Sequence, residues 1–138
     1  MPIRSFDHVA IPIQNTDAML AFYRALGFGV NKRESFYSVH FGDQKINFHA
    51  PERWQSGIFT LRGPTAVPGC GDFCFVWEGS VESLRDMLNQ AGATIIEGPV
   101  ERIGGRHGGR AKGTSIYLRD PDSNLLEFIV YSALPAQH

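Results

Sequence analysis

Cysteine is scarce. Cys70 and Cys74 are the only two in 138 residues, and their spacing is neither that of a redox pair nor that of a zinc knuckle. Neither a disulfide framework nor a zinc module therefore organises the chain. Cys74 alternates with phenylalanines in a strand-like run and reads as a small buried residue. Long apolar runs are missing too, and none approaches the roughly 20 residues of a membrane helix. An excess of one charge is also missing. Lys and Arg number 13 against 14 Asp and Glu, a formal net charge of −1. The chain as a whole has no electrostatic reason to seek nucleic acid or an anionic membrane. The first residues, Met-Pro-Ile-Arg-Ser-Phe-Asp-His, lack the apolar core of a signal peptide. The expected setting is therefore cytoplasmic, with neither nucleic acid nor membrane as partner.

What is present suits one soluble domain. Hydrophobic residues make up 43% and charged residues 20%, enough to bury a core without staples. From Phe6 to Ile13 the period of two puts Val9, Ile11 and Ile13 on one strand face and His8, Ala10 and Pro12 on the other. Asn15 and Thr16 are helix N-cap candidates, and Ala18 to Leu26 carries Met19, Phe22, Tyr23 and Leu26 at helical spacing. Gly27 suits the stop. Strand signals follow at Gly29-Val30, Phe36 to Phe41 and Lys45 to His49, with Gly42-Asp43 as a hairpin turn. Residues 51–69 are a connector rich in Pro and Gly, with Gly57 to Leu61 as a candidate extended piece.

The plan then repeats. Asp72 to Trp77 reads as a strand and Ser80 as an N-cap. Val81, Leu84, Met87, Leu88 and Ala91 form an apolar helical stripe that stops at Gly92. Ala93 to Ile96, Thr114 to Leu118 and Asn124 to Tyr131 read as strands, with Asp120-Pro121-Asp122-Ser123 as a turn. His8 and Asp72, Thr16 and Ser80, and Leu20 and Leu84 are each 64 residues apart, while His49 and Glu127 are 78 apart. The excess is assigned to an irregular basic insertion over residues 99–113, which contains Arg102, Arg106, His107, Arg110 and Lys112. It reads either as a solvated loop or as a lid over an anionic substrate. No phosphate-cradling Gly-Lys-Ser/Thr motif with the required helix is present. Trp54 and Trp77 read as packing residues.

Four ionisable residues stand in strands with mostly apolar neighbours: His8, His49, Asp72 and Glu127. Their side chains therefore point away from the face under the helices, where they would be costly unless paired or metal-bound. Two imidazoles and two carboxylates suit a divalent transition metal in an open site.

Phe-Asp-His-Val-Ala-Ile at 6–11, Ala-Phe-Tyr-Arg-Ala-Leu-Gly-Phe at 21–28 and Tyr-Leu-Arg-Asp-Pro-Asp-Ser-Asn-Leu-Leu-Glu-Phe at 117–128 carry a resemblance over residues 4–132. The chain resembles the vicinal oxygen chelate superfamily, which includes glyoxalase I, fosfomycin-resistance proteins, extradiol dioxygenases and bleomycin-resistance proteins. The overall pattern is nearest to small glyoxalase-like "virulence protein" members. The third stretch is similar to the family's Asp-Pro-Asp-Gly-Asn-x-x-Glu signature, with Ser123 where glycine is usual.

The resemblance implies an α+β fold of two paired βαβββ modules, at about 4–50 and 70–132, forming a curved half-barrel metal site. It implies His8, His49, Asp72 and Glu127 as ligands of a divalent ion (Mn, Fe, Ni, Zn or Co). Two departures stand out: Asp72 replaces the usual histidine, and His49 replaces the glutamate of glyoxalase I. The leading expectation is a lyase or isomerase that chelates adjacent oxygens of a small substrate. Glu127 shuttles the proton, and Arg106, His107 and Arg110 meet an anionic group. The alternatives are an extradiol-type dioxygenase using Fe(II), and a metal-free binding or resistance protein. The resemblance also implies a homodimer.

Overall fold

In the computed structural model, residues 1–131 are described. The last position of the second expected module, residue 132, lies outside them. The chain divides into two compact units, Met1–Gly71 with Asp120–Asn124, and Asp72–Arg119 with the chain from Leu125 onward. Each contains a four-stranded mixed sheet and helices, the expected α+β class.

The first unit holds β1 (His8–Pro12), α1 (Thr16–Ala25), β2 (Gly29–Arg33), β3 (Phe36–Phe41), β4 (Gln44–His49) and α2 (Pro51–Trp54). Its sheet order is β1-β4-β3-β2, with β1 parallel to β4. The alternation of the sequence is kept: Ile11, Ile13, Ile46 and Phe48 are buried. Met19, Leu20 and Tyr23 from α1 and Leu26 at its C-cap are buried as well, whereas Phe22 is half-buried. Gly27 takes φ +97° just past the helix, where a left-handed residue ends a helix at least cost in glycine.

The second unit holds β5 (Asp72–Val76), α3 (Val81–Gln90), β6 (Glu97–Ile103), α4 (Arg106–Gly109), β7 (Lys112–Arg119) and β8 (Leu125–Tyr131), in sheet order β5-β8-β7-β6. Ser80 caps α3 by accepting from the Ser83 N–H at 3.0 Å. Leu84 and Leu88 are fully buried from its apolar stripe, as are Ile116, Leu118 and Leu126 from the strands.

Several expectations are corrected. Asn15 occupies the N-cap of α1, but its side chain caps nothing. Residues 57–61 form no strand, and the connector instead opens with α2, which starts at Pro51 in the first helical position. That position tolerates proline because its missing N–H has no helical partner to lose. Ala93 to Ile96 precedes β6 rather than beginning it. The basic segment is not irregular throughout: Glu101, Arg102 and Ile103 pair with Thr114, Gly113 and Lys112. The insertion extends the β6–β7 hairpin, leaving residues 104–111 as its tip. Cys74 is exposed rather than buried, because it shares a sheet face with Asp72 rather than with Phe73 and Phe75.

Candidate functional site

Strand register decides where the four ionisable residues stand within their own sheets. In the first unit His8 lies opposite Lys45, Ala10 opposite Asn47 and Pro12 opposite His49. In the second, Asp72 lies opposite Leu125 and Cys74 opposite Glu127. Counting from the paired first positions, the counterpart of Glu127 is Asn47. The next hydrogen bond repeats the relation. Ile13 N–H donates to the His49 carbonyl at 2.9 Å, and Trp77 N–H to the Ile129 carbonyl at 3.0 Å. The spacing of the last strands is thus 80 (127 − 47 and 129 − 49), not 78, and His49 corresponds to Ile129. His49 is four residues along β4 from the partner of His8, roughly 13 Å at strand rise.

His8 is exposed, and its Nδ1 lies 2.7 Å from Asp7 Oδ1. Nδ1–H donation to that carboxylate leaves Nε2 uncommitted. His49 is half-buried, with the Phe59 ring edge-on at 4.9 Å between centroids. Burial first, then the charges of Arg53 and Arg62, lowers its pKa below the ordinary imidazole value, because all three penalise the imidazolium. These residues line a cleft of about 350 Å³ with Lys45, Asn47, Phe36 and Arg53 among its walls. Arg53, Phe59 and Leu61 belong to the connector, which sequence punctuation marks only as a linker. No residue pattern there signals a site.

In the second unit Glu127 is half-buried. Ser115 Oγ, on a residue with no exposed surface, donates to its Oε2 at 2.6 Å. Cys74 and Tyr117 also hydrogen-bond to it. The Cys74 residue is exposed overall, yet its thiol is pushed up to about 12 by desolvation, then by the Glu127 carboxylate, and lastly by the charge of Asp72. Arg102 Nε donates to Tyr117 Oη at 3.0 Å. Desolvation dominates there and raises the phenol above its ordinary value. Since a carboxylate offers about four lone-pair positions, three side-chain donors leave Glu127 about one acceptor position to spare. Ser115, Cys74 and Tyr117 were not singled out as site residues from sequence, and Arg102 was read only as part of the basic insertion, not as a partner of Tyr117. Period-two alternation along β7 could have placed Ser115 and Tyr117 on the Glu127 face, but not aimed them at it.

Asp72 is exposed on β5, two residues short of the Glu127 partner. Arg106, His107 and Arg110 are exposed at the hairpin tip. Arg106 Cζ sits 4.4 Å from the Tyr131 ring centroid, and His107 takes φ +55°.

The donor chemistry of His8, His49, Asp72 and Glu127 suits a divalent metal, but the placement does not. His8 and His49 are separated along their sheet, and Glu127 is largely committed to Ser115, Cys74 and Tyr117. Among the described residues no group of three or more His, Cys, Asp or Glu is placed to hold a metal ion. Within each unit taken alone, these residues do not make up a metal centre of three donors.

Comparison with known proteins places these features in context. The family described as Glyoxalase/Bleomycin resistance protein/Dioxygenase superfamily matches residues 5–128. The chain is 36% identical over 135 residues to the glyoxalase domain-containing protein RDO1 of Mycosarcoma maydis, covering 95% of this chain and 70% of that one. It is 35% identical over 133 residues to virulence protein STM3117 of Salmonella typhimurium, covering 95% and 87%. The crystal structure of that virulence protein matches with a TM-score of 0.82 at 34% identity, over 96% of this chain and 100% of that one. Lactoylglutathione lyase from Agrobacterium tumefaciens shares the fold, with a TM-score of 0.67 at 20% identity over 94% and 96%.

Proposed function

Because the chain belongs to the Glyoxalase/Bleomycin resistance protein/Dioxygenase superfamily, we propose that it is a lyase or isomerase that moves a proton on a small oxygen-bearing molecule, with Glu127 as the proton acceptor. The observation that carries this reading is the 2.6 Å hydrogen bond from Ser115 Oγ to Glu127 Oε2. A general base needs a fixed direction as well as a free lone pair. Ser115, Cys74 and Tyr117 all hydrogen-bond to the carboxylate and leave about one acceptor position for a substrate proton. Tyr117 is itself steadied by Arg102. The expected setting, a homodimer in the cytoplasm, belongs to the same proposal. Among the described residues no helix is long and apolar enough to cross a membrane.

The test is deuterium exchange. Dihydroxyacetone and related α-hydroxycarbonyl compounds are incubated with the protein in heavy water, and loss of the carbon-bound proton is followed by NMR. Wild type is expected to exchange and Glu127→Gln to lose exchange. Equal exchange by both overturns the reading. Compounds that bind without exchanging would assign the chain to the binding proteins instead.

One observation favours a second reading, in which a divalent metal assists. Contact between His8 Nδ1 and Asp7 at 2.7 Å is the arrangement by which a carboxylate orients a metal-ligating imidazole. His8 is its proposed donor, and the ion is one of Mn, Fe, Ni, Zn or Co. Metal analysis of protein purified without chelator, repeated on His8→Ala, decides it. Stoichiometric metal lost in the variant supports this reading, and metal-free protein that still exchanges protons sinks it.

A further inference from the structure

We propose that the cleft of the first unit is a carboxylate site, in which Arg53 receives the carboxyl group of a small aromatic acid. It concerns the first unit alone and does not depend on the reading above.

Three observations converge. The cleft is lined by Lys45 and Arg53 and by no Asp or Glu, although the chain carries one more acid than base. Arg53 has no carboxylate partner among the described residues. The ion pairs found there are His8 with Asp7 and Lys112 with Glu101. A cation on a cleft wall with no internal counter-charge is one that a ligand can neutralise. Its shape is also prepared. The Arg53 Cζ lies over the Phe36 ring at 4.1 Å from the centroid and over the Phe59 ring at 5.0 Å. Two aromatic contacts restrict the guanidinium before any ligand arrives, so less freedom is lost when it binds.

A guanidinium recognises a carboxylate in its own plane through paired N–H groups. An aromatic acid has its ring nearly coplanar with its carboxylate. Its ring would therefore lie along the walls that Phe36 and Phe59 provide. The same connector supplies Arg62. Its Nε is the one buried side-chain nitrogen or oxygen without a hydrogen-bond partner among the described residues, while its Nη2 donates to the Ala66 carbonyl. Arg53 and Arg62 both act electrostatically on His49, so the connector brings two cations to the same end of β4.

Isothermal titration with benzoate, benzamide, acetate and inorganic phosphate tests the site. Benzoate is expected to bind saturably, with benzamide about tenfold weaker for lack of the charge. Arg53→Gln is expected to weaken benzoate by about tenfold. Phe59→Leu keeps the cation and is expected to bring benzoate down to the level of acetate. Unchanged benzoate affinity in Arg53→Gln, an unchanged preference over acetate in Phe59→Leu, or phosphate binding as tightly as benzoate would overturn the assignment. Binding is read without turnover, and proton exchange is read without benzoate, so either proposal can fail while the other stands.

Discussion

The carboxylate of Asp122 accepts two hydrogen bonds from Asn15, from its main-chain N–H at 3.0 Å and its side-chain amide at 2.8 Å, across 107 residues of sequence. Its other oxygen accepts from the Gln14 N–H at 2.8 Å. The turn between β1 and α1 is therefore held by the segment Asp120–Asn124, which clusters with the first unit. Asp122→Ala leaves these donors without their acceptor at a buried position. The expected cost is roughly 2–3 kcal/mol, measured as a lower urea midpoint at unchanged m-value. Asp122→Asn, with one acceptor oxygen in place of two, should fall between.

Asp120 makes the second prediction. It is buried and accepts from Tyr23 Oη at 2.8 Å, Asn124 Nδ2 at 2.8 Å and the Asp122 and Asn124 main-chain N–H groups. Burial raises its carboxyl above the ordinary range, while the bonds from Asn124 and Tyr23 pull the other way. A folded-state pKa above the unfolded one means that the native chain holds the proton more tightly. That contribution to stability is complete below the unfolded pKa, about 4, and is lost as pH rises through the folded value. Tyr23→Phe removes a bond that lowers the Asp120 pKa. The variant should therefore lose this stability over a wider window, extending to higher pH. Unfolding free energies measured from about pH 4 to 7, as the difference between variant and wild type, check it. A difference that does not change with pH refutes it.

Much of the fold was legible because the apolar alternation and the glycine stops are local signals. Val9, Ile11 and Ile13 needed only the period of two, and Gly27 and Gly92 only the end of a stripe. The pairing register was not legible, because it depends on which residue of one strand meets which of another. His49 closes β4 whereas Glu127 sits inside β8, and only the ladder reveals that Asn47 holds the place corresponding to Glu127. The segment 120–123 was legible as a turn, but not as the acceptor for residues 14 and 15. α2 was hidden because four residues at a proline carry no helical period. Arg53 therefore passed as part of a linker.

Cys74 supports a third prediction. The residue is exposed, so access alone would make it reactive. Its thiol is pushed up to about 12 by desolvation and by Glu127, and the thiolate is the reactive form. At pH 8 iodoacetamide should therefore modify Cys74 far more slowly than a free thiol of ordinary pKa. Glu127→Gln removes the opposing charge and should accelerate the reaction. Peptide mapping of the alkylated protein distinguishes Cys74 from Cys70. Fast alkylation of Cys74 in the wild type would show that the thiol is not held against Glu127.

Ser115 allows the role of Glu127 to be tested without removing the carboxylate. Ser115 is fully buried, and its Oγ reaches Glu127 Oε2 at 2.6 Å. Ser115→Ala deletes that donor while Cys74 and Tyr117 remain. The carboxylate then keeps two side-chain hydrogen bonds rather than three and samples more orientations. If Glu127 takes a proton in the rate-limiting step, kcat for exchange should fall by about tenfold with little change in KM, because the lost interaction acts on the reacting geometry rather than on substrate uptake. Stability should fall by only about 1 kcal/mol, since the apolar methyl group suits the buried site. Ser115→Thr keeps the hydroxyl and should recover most of the rate. An equal loss in Ser115→Ala and Ser115→Thr would assign Ser115 to packing alone. A KM effect without a kcat effect would move Glu127 from proton transfer to binding.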